Sequence, residues 1–166
     1  MLKRKRKGTE ENKAAKALQF VGFHIGEELY GIGIHSVQEI DRMHSITRLP
    51  KTLHFIEGVI NLRGRIIHVI DMAKRFGLPP VKVGRRTRII IIGTAAQSVG
   101  LIVEQVTEVI QLEEGSVEQA PSMAFAVDQR YVEGVGQISG GLIILLNLDL
   151  LFSAEEMTQL QQHPLS

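Results

Sequence analysis

The chain has 166 residues, with 19 Lys and Arg against 18 Asp and Glu and no cysteine. The near-neutral charge excludes a molecule whose whole surface attracts nucleic acid or anionic lipid, and the lack of cysteine excludes disulfides, thiolate metal sites and cysteine nucleophiles. No apolar run approaches the roughly 20 residues of a membrane-spanning helix, so we expect no direct membrane insertion and a cytoplasmic location.

The first residues form a basic segment. Residues 2–7 read LKRKRK, and the following GTEENKAAK contains few apolar side chains. This composition favours a disordered basic tail over residues 1–17, for which a solubilising role is the simplest interpretation. We predict that the folded unit covers residues 18–162.

Two strand pairs are predicted next, one in each half of the chain. LQFVGFHIGEELYGIGI alternates apolar with polar or small residues on both sides of Gly26, and TRIIIIGTAAQSVGLIV does so around Gly93 to Ser98. Each pair runs into a matching phrase, GIGIHSVQEI from Gly31 and GLIVEQVTEV from Gly100. The two halves therefore begin in the same way.

A longer phrase is also written twice. FIEGVINLRGRIIHVIDMAKRF recurs 76 residues later as YVEGVGQISGGLIILLNLDLLF. Each copy predicts two strands around a two-residue turn in which Gly64 or Gly140 supplies a positive φ. Asp71 and Asn147 follow the strands and predict the N-cap of a short helix.

The repeats predict the fold class. Two phrases recurring in the same order indicate one small β unit that has been duplicated. We predict an all-β fold of two small five-stranded β-barrels, with approximate repeats at 20–76 and 88–152, short helices and a C-terminal helix. Ser153 and Glu156 fit a capping box at the start of that last helix, over about residues 154–162. Residues 111–130 form a long connection without clear periodicity, typical of a functional or mobile segment.

The sequence contains no pattern of a catalytic or metal site. Its six histidines lack the spacing of a helical metal pair, and G-x-S-x-G and phosphate-loop motifs are absent. We therefore expect no enzyme activity, no metal and no cofactor. Few aromatic residues and no Trp leave little for single-stranded nucleic acid to stack on. Exposed strand edges and charged turns remain, which are typical of protein-binding surfaces.

Four phrases in order resemble the CheW family, the coupling proteins of bacterial chemosensory arrays. They are YGIGIHSVQEI, TRLPKTLHFIEGVINLRGRIIHVID, VGLIVEQVTEVIQL and LIILLNLDLLFSAEEM. The resemblance implies two five-stranded barrels side by side. It also implies a non-catalytic adaptor that joins the hairpin tip of a chemoreceptor to the regulatory domain of a CheA-type histidine kinase and is recruited to membrane-associated receptor arrays.

The resemblance and the repeats together select partner-binding residues. They are Val37, Glu39, Gly58, Asn61, Arg63 and Gly64. Arg63 can donate two hydrogen bonds to a partner carboxylate, or it can hold the neighbouring loop. The glycines act through backbone shape. Since the second hairpin has Ser139 where the first has Arg63, we expect the two tips to differ in function.

Other hypotheses stay open at this point. The chain could be a stand-alone regulatory or adaptor domain of a non-motility chemosensory pathway, which the sequence does not separate from a motility pathway. A stand-alone copy of the kinase regulatory domain also stays open, because that domain shares the family fold. The basic tail and Arg85, Arg86 and Arg88 suggest a nucleic-acid-binding β-barrel as a weaker alternative, and we expect no nucleic-acid partner. A hydrolase would need a nucleophile and base that no motif supplies.

Overall fold

The computed structural model describes residues 17–50, 52–94, 97–119, 127–153, 156 and 158. The strands are β1 Ala17–Ile25, β2 Glu28–Gly33, β3 Val37–Arg42, β4 Ile56–Leu62, β5 Arg65–Asp71, β6 Arg88–Gly93, β7 Ser98–Val103, β8 Gln105–Glu113, β9 Val132–Ile138 and β10 Gly141–Leu146. Two short α-helices, α1 Met72–Arg75 and α2 Leu148–Leu151, follow β5 and β10. Three 3-10 turns are η1 Ile34–Ser36, η2 Glu114–Ser116 and η3 Gln129–Tyr131.

Some predicted segments lie outside the described residues. They are the tail up to residue 16, residues 120–126 of the long connection, and most of the C-terminal helix. Since β1 begins at Ala17, the first strand starts one residue inside the predicted tail. No helix in the described part of the chain is long and apolar enough to cross a bilayer.

The ten strands form two five-stranded sheets, which confirms the all-β fold class. The first sheet has the order β8-β1-β2-β10-β9 and the second β3-β6-β7-β5-β4. Neither sheet is a continuous closed barrel. Among the described residues, each sheet has one isolated bridge between its two edges. In the first sheet Glu118, which follows β8, pairs with Val135 of β9, and in the second Thr47, which follows β3, pairs with Val59 of β4.

Each sheet contains strands from both repeats. The hairpin of β1 and β2 lies in one sheet with β8, β9 and β10 of the second repeat, and the hairpin of β6 and β7 lies in one sheet with β3, β4 and β5 of the first repeat. The joints are the two parallel pairs, β2 with β10 and β5 with β7. Each repeat thus has the predicted five strands, but a sheet is not one repeat. A tight turn in the sequence predicts that the two strands beside it pair antiparallel. Parallel partners are joined by long connections, so the sequence does not indicate which strands pair in parallel.

The pattern of burial explains where the strands lie. Ile89 to Ile92 of β6 are all fully buried, as expected for a central strand covered on both faces. By contrast, β3 alternates half-buried and exposed residues, as an edge strand does. The larger apolar cluster includes Phe23 and Tyr30 of the first sheet together with Ile90 and Leu101 of the second. The two sheets therefore share a core and form one folded unit.

The predicted turns and caps are present. Gly26, Gly64 and Gly140 have φ angles of 61°, 85° and 90°. Asp71 Oδ1 accepts a hydrogen bond of 3.1 Å from the Lys74 amide, and Asn147 Oδ1 accepts one of 3.0 Å from the Asp149 amide. These side chains satisfy amides that a helix leaves free in its first turn.

The predicted capping box is present as well. The Ser153 amide donates to Glu156 Oε1 at 2.7 Å, and the Glu156 amide donates to Ser153 Oγ at 3.1 Å. Glu156 and Thr158 are helical, which agrees with a helix beginning here. The remainder of that helix lies beyond what the structure describes.

Arg75 links the two repeats. Its Nε donates to the Leu151 carbonyl at 2.7 Å, and its Nη2 lies 3.0 Å from the Tyr131 hydroxyl and 3.1 Å from Glu156 Oε1. The guanidinium also lies 4.7 Å from the ring centroid of Phe55. Leu151 is the residue 76 positions after Arg75, so this contact joins equivalent positions of the two repeats.

Candidate partner-binding site

The first hairpin tip lies where the two edges of the second sheet approach each other. The strands β3 and β4 are the outermost strands of that sheet. After β3 the chain returns beside β4, where the amides and carbonyls of Thr47 and Val59 exchange two hydrogen bonds of 2.9 Å. This return brings β3 next to the turn between β4 and β5. The structure therefore places Glu39 and the Arg63 turn in one region.

Arg63 is held in a constrained turn. Its φ of 51° makes it the one non-glycine residue in the left-handed region among the described residues. Positive φ at both Arg63 and Gly64 is the pattern of a type I′ turn, which fits the twist of a β-hairpin. Asn61 Oδ1 accepts a hydrogen bond of 2.8 Å from the Gly64 amide, so the asparagine fixes the turn. The tip is thus preorganised.

The Arg63 guanidinium forms an ion pair with Glu39. Nη2 of Arg63 contacts Oε2 of Glu39, while the arginine side chain stays 67% exposed and the glutamate 25%. Such an exposed pair contributes about 1 kcal/mol or less to stability, because water competes for both charges. The pair orients Arg63 more than it stabilises the fold. Much of the guanidinium remains accessible to a partner.

Gly58 and Val37 differ from the other predicted site residues. Gly58 is buried with a φ of 148°, and a Cβ there would lie 2.1 Å from the Thr47 carbonyl oxygen. It permits the close approach that brings β4 against the returning chain. Val37 is half-buried at the start of β3 and packs against the main core. Both residues shape the site, whereas Glu39, Asn61 and Arg63 present polar groups on it.

Asp41 and His44 also belong to this region, although neither is among the site residues predicted from the sequence. Asp41 Oδ2 lies 3.1 Å from His44 Nε2. The Arg42 amide, the His44 ring and the charge of Arg63 lower the pKa of Asp41 below its usual value. The sequence could have indicated Asp41, because it lies two residues after Glu39 on a strand and therefore on the same face of the sheet. The tip therefore combines Arg63 with two carboxylates.

Glu57, near the start of β4, holds the base of the hairpin formed by β4 and β5. Its side chain is 11% exposed and forms ion pairs with Lys74 of α1 and, at 3.3 Å, with Arg48 of the returning chain. Its equivalent in the second repeat, Glu133, is exposed. The first hairpin is thus fixed at its base by charges that the second does not bury.

The second hairpin keeps the scaffold without the charges. Ser139 replaces Arg63, and Gly140 keeps a positive φ of 90°. Glu39 recurs as Glu108, which is exposed and makes no ion pair with another described residue. Exposed apolar side chains do not distinguish the tips, since Ile66 is 49% exposed and the equivalent Leu142 is 46% exposed. The tips differ in charge and also in the backbone of the turn, where Ser139 lacks the positive φ of Arg63.

The described residues offer no candidate metal centre. They contain no group of three or more His, Cys, Asp or Glu side chains arranged to hold an ion. The arrangement at the tip can bind carboxylates and backbone carbonyls through Arg63, and amides through Asn61 and the acidic side chains. This chemistry is that of protein recognition.

Comparison with known proteins identifies relatives over most of the chain. The family profile of the CheW-like domain matches residues 19–156. The chemotaxis protein CheW of Klebsiella aerogenes is 35% identical over 139 residues, which are 84% of this chain and 84% of that protein. The chemotaxis protein CheW of Thermotoga maritima is 32% identical over 146 residues, which are 87% of this chain and 93% of that protein.

A solved structure agrees with both sequence and fold. The crystal structure of the scaffolding protein TtCheW from Thermoanaerobacter tengcongensis has a TM-score of 0.77 and 42% identity, covering 85% of this chain and 91% of that one. Residues 19–156, which match the family profile, include the strands and the hairpin that carry the candidate site. The chain therefore belongs to the family of the CheW-like domain.

Proposed function

We propose that the chain is a non-catalytic adaptor that couples chemoreceptors to a CheA-type histidine kinase in a chemosensory array at the cytoplasmic side of the membrane. The observation that carries the proposal is the CheW-like match over residues 19–156. Relatives named chemotaxis proteins and a solved relative named a scaffolding protein support it. The partners in this proposal are the regulatory domain of the kinase and the cytoplasmic hairpin tip of a receptor.

The first hairpin tip supplies the recognition chemistry in this proposal. Arg63 is exposed, is oriented by Glu39 and sits in a turn fixed by Asn61. A partner carboxylate or carbonyl can accept charge-assisted hydrogen bonds from the guanidinium without a large rearrangement, so little conformational entropy is lost on binding. The exposed Ile66, opposite Asn61 in the hairpin, adds apolar area beside these charges.

The test is to reverse the charge of Arg63. In the Arg63→Glu protein we expect binding to weaken by about 2–4 kcal/mol, because a partner group loses its hydrogen bonds and Glu39 meets a like charge. Binding of the full chain to a kinase regulatory domain and to a receptor signalling fragment is measured separately by titration calorimetry. Ser139→Glu, the same charge placed on the equivalent tip, is the control and should bind nearly as the parent.

A charge swap separates the two roles of Arg63. Glu39→Arg combined with Arg63→Glu restores an ion pair with opposite polarity. If Arg63 itself contacts the partner, the swap does not recover affinity, whereas recovery means that the pair only shapes the tip. Thermal melts followed by circular dichroism should overlay for all variants, since an exposed pair contributes little stability. Parent-like binding of Arg63→Glu to both partners would reject the assignment of the tip.

A further inference from the structure

A group of cations lies away from the hairpin tip. Lys82, Arg85 and Arg86 are exposed on the segment between α1 and β6. Arg88 at the start of β6 and Arg42 at the end of β3 line a hollow beside them together with Arg85. We call these five residues the basic surface. A chain with nearly balanced charge thus carries a local concentration of positive charge.

The loop that carries the basic surface has a defined conformation. Thr87 is 2% exposed, and its hydroxyl accepts a hydrogen bond of 2.8 Å from the Gly84 amide. Arg88 Nη1 donates to the carbonyls of Arg85 at 2.9 Å and Thr87 at 2.8 Å. The Val81 amide donates to Asp71 Oδ2 at 3.0 Å, which anchors the start of the loop. The cations therefore project from a fixed turn.

The basic surface borders a cleft of about 660 Å³. His24 of β1 and Glu104, at the junction of β7 and β8, line this cleft together with Lys82, Arg85 and Arg86. A cleft of this volume is large enough to hold several side chains of a bound segment. Arg86 also lines an adjoining hollow with Ile40, so the charged surface continues from the β1–β2 turn towards β3.

The exposed cations have no anionic partner within the described part of the chain. None of the ion pairs there includes Lys82, Arg85 or Arg86. The exposed Arg63 and Arg130 do pair with carboxylates, Glu39 and Asp128. Holding several unpaired like charges on one fixed loop costs free energy in the free protein, and an anionic partner relieves that repulsion.

We propose that the basic surface docks an acidic segment of a partner protein. An arginine fork matches a carboxylate in geometry and donates two parallel hydrogen bonds to it. Glu104 in the cleft can accept a hydrogen bond from a backbone amide of such a segment. The residues lining the cleft include no Phe, Tyr or Trp, the large aromatic side chains on which bases of single-stranded nucleic acid usually stack.

The experiment titrates the full chain into a short fluorescein-labelled peptide of alternating Asp and Glu, followed by fluorescence anisotropy. The test variant is Arg85→Ala with Arg86→Ala. The control, Arg65→Ala with Arg130→Ala, removes the same charge from exposed positions elsewhere. A further variant replaces the five basic residues of segment 3–7 by Gln to measure the contribution of the tail. A labelled single-stranded oligonucleotide is titrated in parallel.

The proposal requires that the parent binds the peptide, that the Arg85 and Arg86 variant loses about tenfold or more in affinity, and that the control stays within about twofold. Affinity should also fall as NaCl rises from about 50 mM to about 200 mM. Four results overturn it: no binding by the parent, equal losses in test and control variants, loss of binding only when the tail charges are removed, or tighter binding of the oligonucleotide than of the peptide. Since Arg63 is unchanged in every variant, these results are independent of the adaptor proposal.

Discussion

Arg63 and Ser139 occupy the same position in two hairpins of the same chain, yet only Arg63 has a positive φ. A non-glycine residue in this region stores strain on the order of 1 kcal/mol, which the Asn61 hydrogen bond and the ion pair with Glu39 help to offset. The hairpin would fold more easily with glycine at this position. The arginine is retained at a cost in stability, which agrees with a role in recognition.

Gly58 gives a prediction at the residue scale. Gly58→Ala should destabilise the protein by about 2–4 kcal/mol, because a Cβ there meets the Thr47 carbonyl oxygen at 2.1 Å and the φ of 148° is unfavourable for alanine. Urea unfolding followed by circular dichroism measures the change. The clash is with backbone, so the bridge between Thr47 and Val59 must shift.

The equivalent glycine provides the control for this prediction. Gly134 has no positive φ, and its Cβ would meet the Val117 side chain at 2.6 Å and the Glu118 carbonyl oxygen at 3.0 Å, a looser backbone contact than the one at Gly58. A side chain can move aside more easily than backbone, so Gly134→Ala should cost about 1–2 kcal/mol. If the two variants lose equal stability, the close approach at Gly58 does not have the importance assigned to it.

At the scale of the element, the helix caps are the features that the sequence predicts best. An Asp or Asn at the end of a strand, followed by a short run with apolar residues, predicts the start of a helix from neighbouring residues alone. Asp71 and Asn147 both cap as predicted. Their further contacts are not local. Asp71 is 4% exposed and also accepts a bond from the Val81 amide, ten residues away.

The caps should therefore differ in what they contribute. Asp71→Ala leaves the buried Val81 amide and the partly buried Lys74 amide without an acceptor, and we expect a loss of about 2–4 kcal/mol. Asn147→Ala, which removes one bond in a less buried cap, should cost about 1 kcal/mol. Urea midpoints of both variants against the parent test this difference. Equal midpoints would show that the Val81 contact adds nothing, and with it that Asp71 does not anchor the basic loop.

At the scale of the whole molecule, Arg75 connects parts that the repeats alone would keep separate. It lies in α1, yet it donates hydrogen bonds to Leu151 and Tyr131 of the second repeat and to Glu156 just beyond it. Its side chain is 14% exposed. The sequence offers only a basic residue in a short helix, which is a common position for a solvated side chain.

Arg75→Met should cost about 2–4 kcal/mol, because the partners of a mostly buried guanidinium lose their donor. Arg75→Lys should recover little, since one ammonium group cannot reproduce the planar fork and its stacking on Phe55. Urea unfolding gives the free energy, and hydrogen exchange at α2 and β9 reports the local effect. Arg130→Ala, on an exposed arginine nearby, should leave the midpoint at the parental value. If Arg75→Lys recovers the full parental stability, Arg75 contributes through its positive charge and not through the geometry of its guanidinium.

The sequence by itself determined the strands, the glycine turns, the helix caps, the number of strands in each repeat and the family. These features depend on residues close together in the chain, so alternation, glycine and capping residues record them directly. The exchange of hairpins between sheets, the Glu39 contact to Arg63, the Arg75 link and the cleft beside the basic loop were decided by tertiary structure. They join residues from distant segments, through parallel strand pairs and returning chain, and a contact between distant segments leaves no periodic pattern in either one.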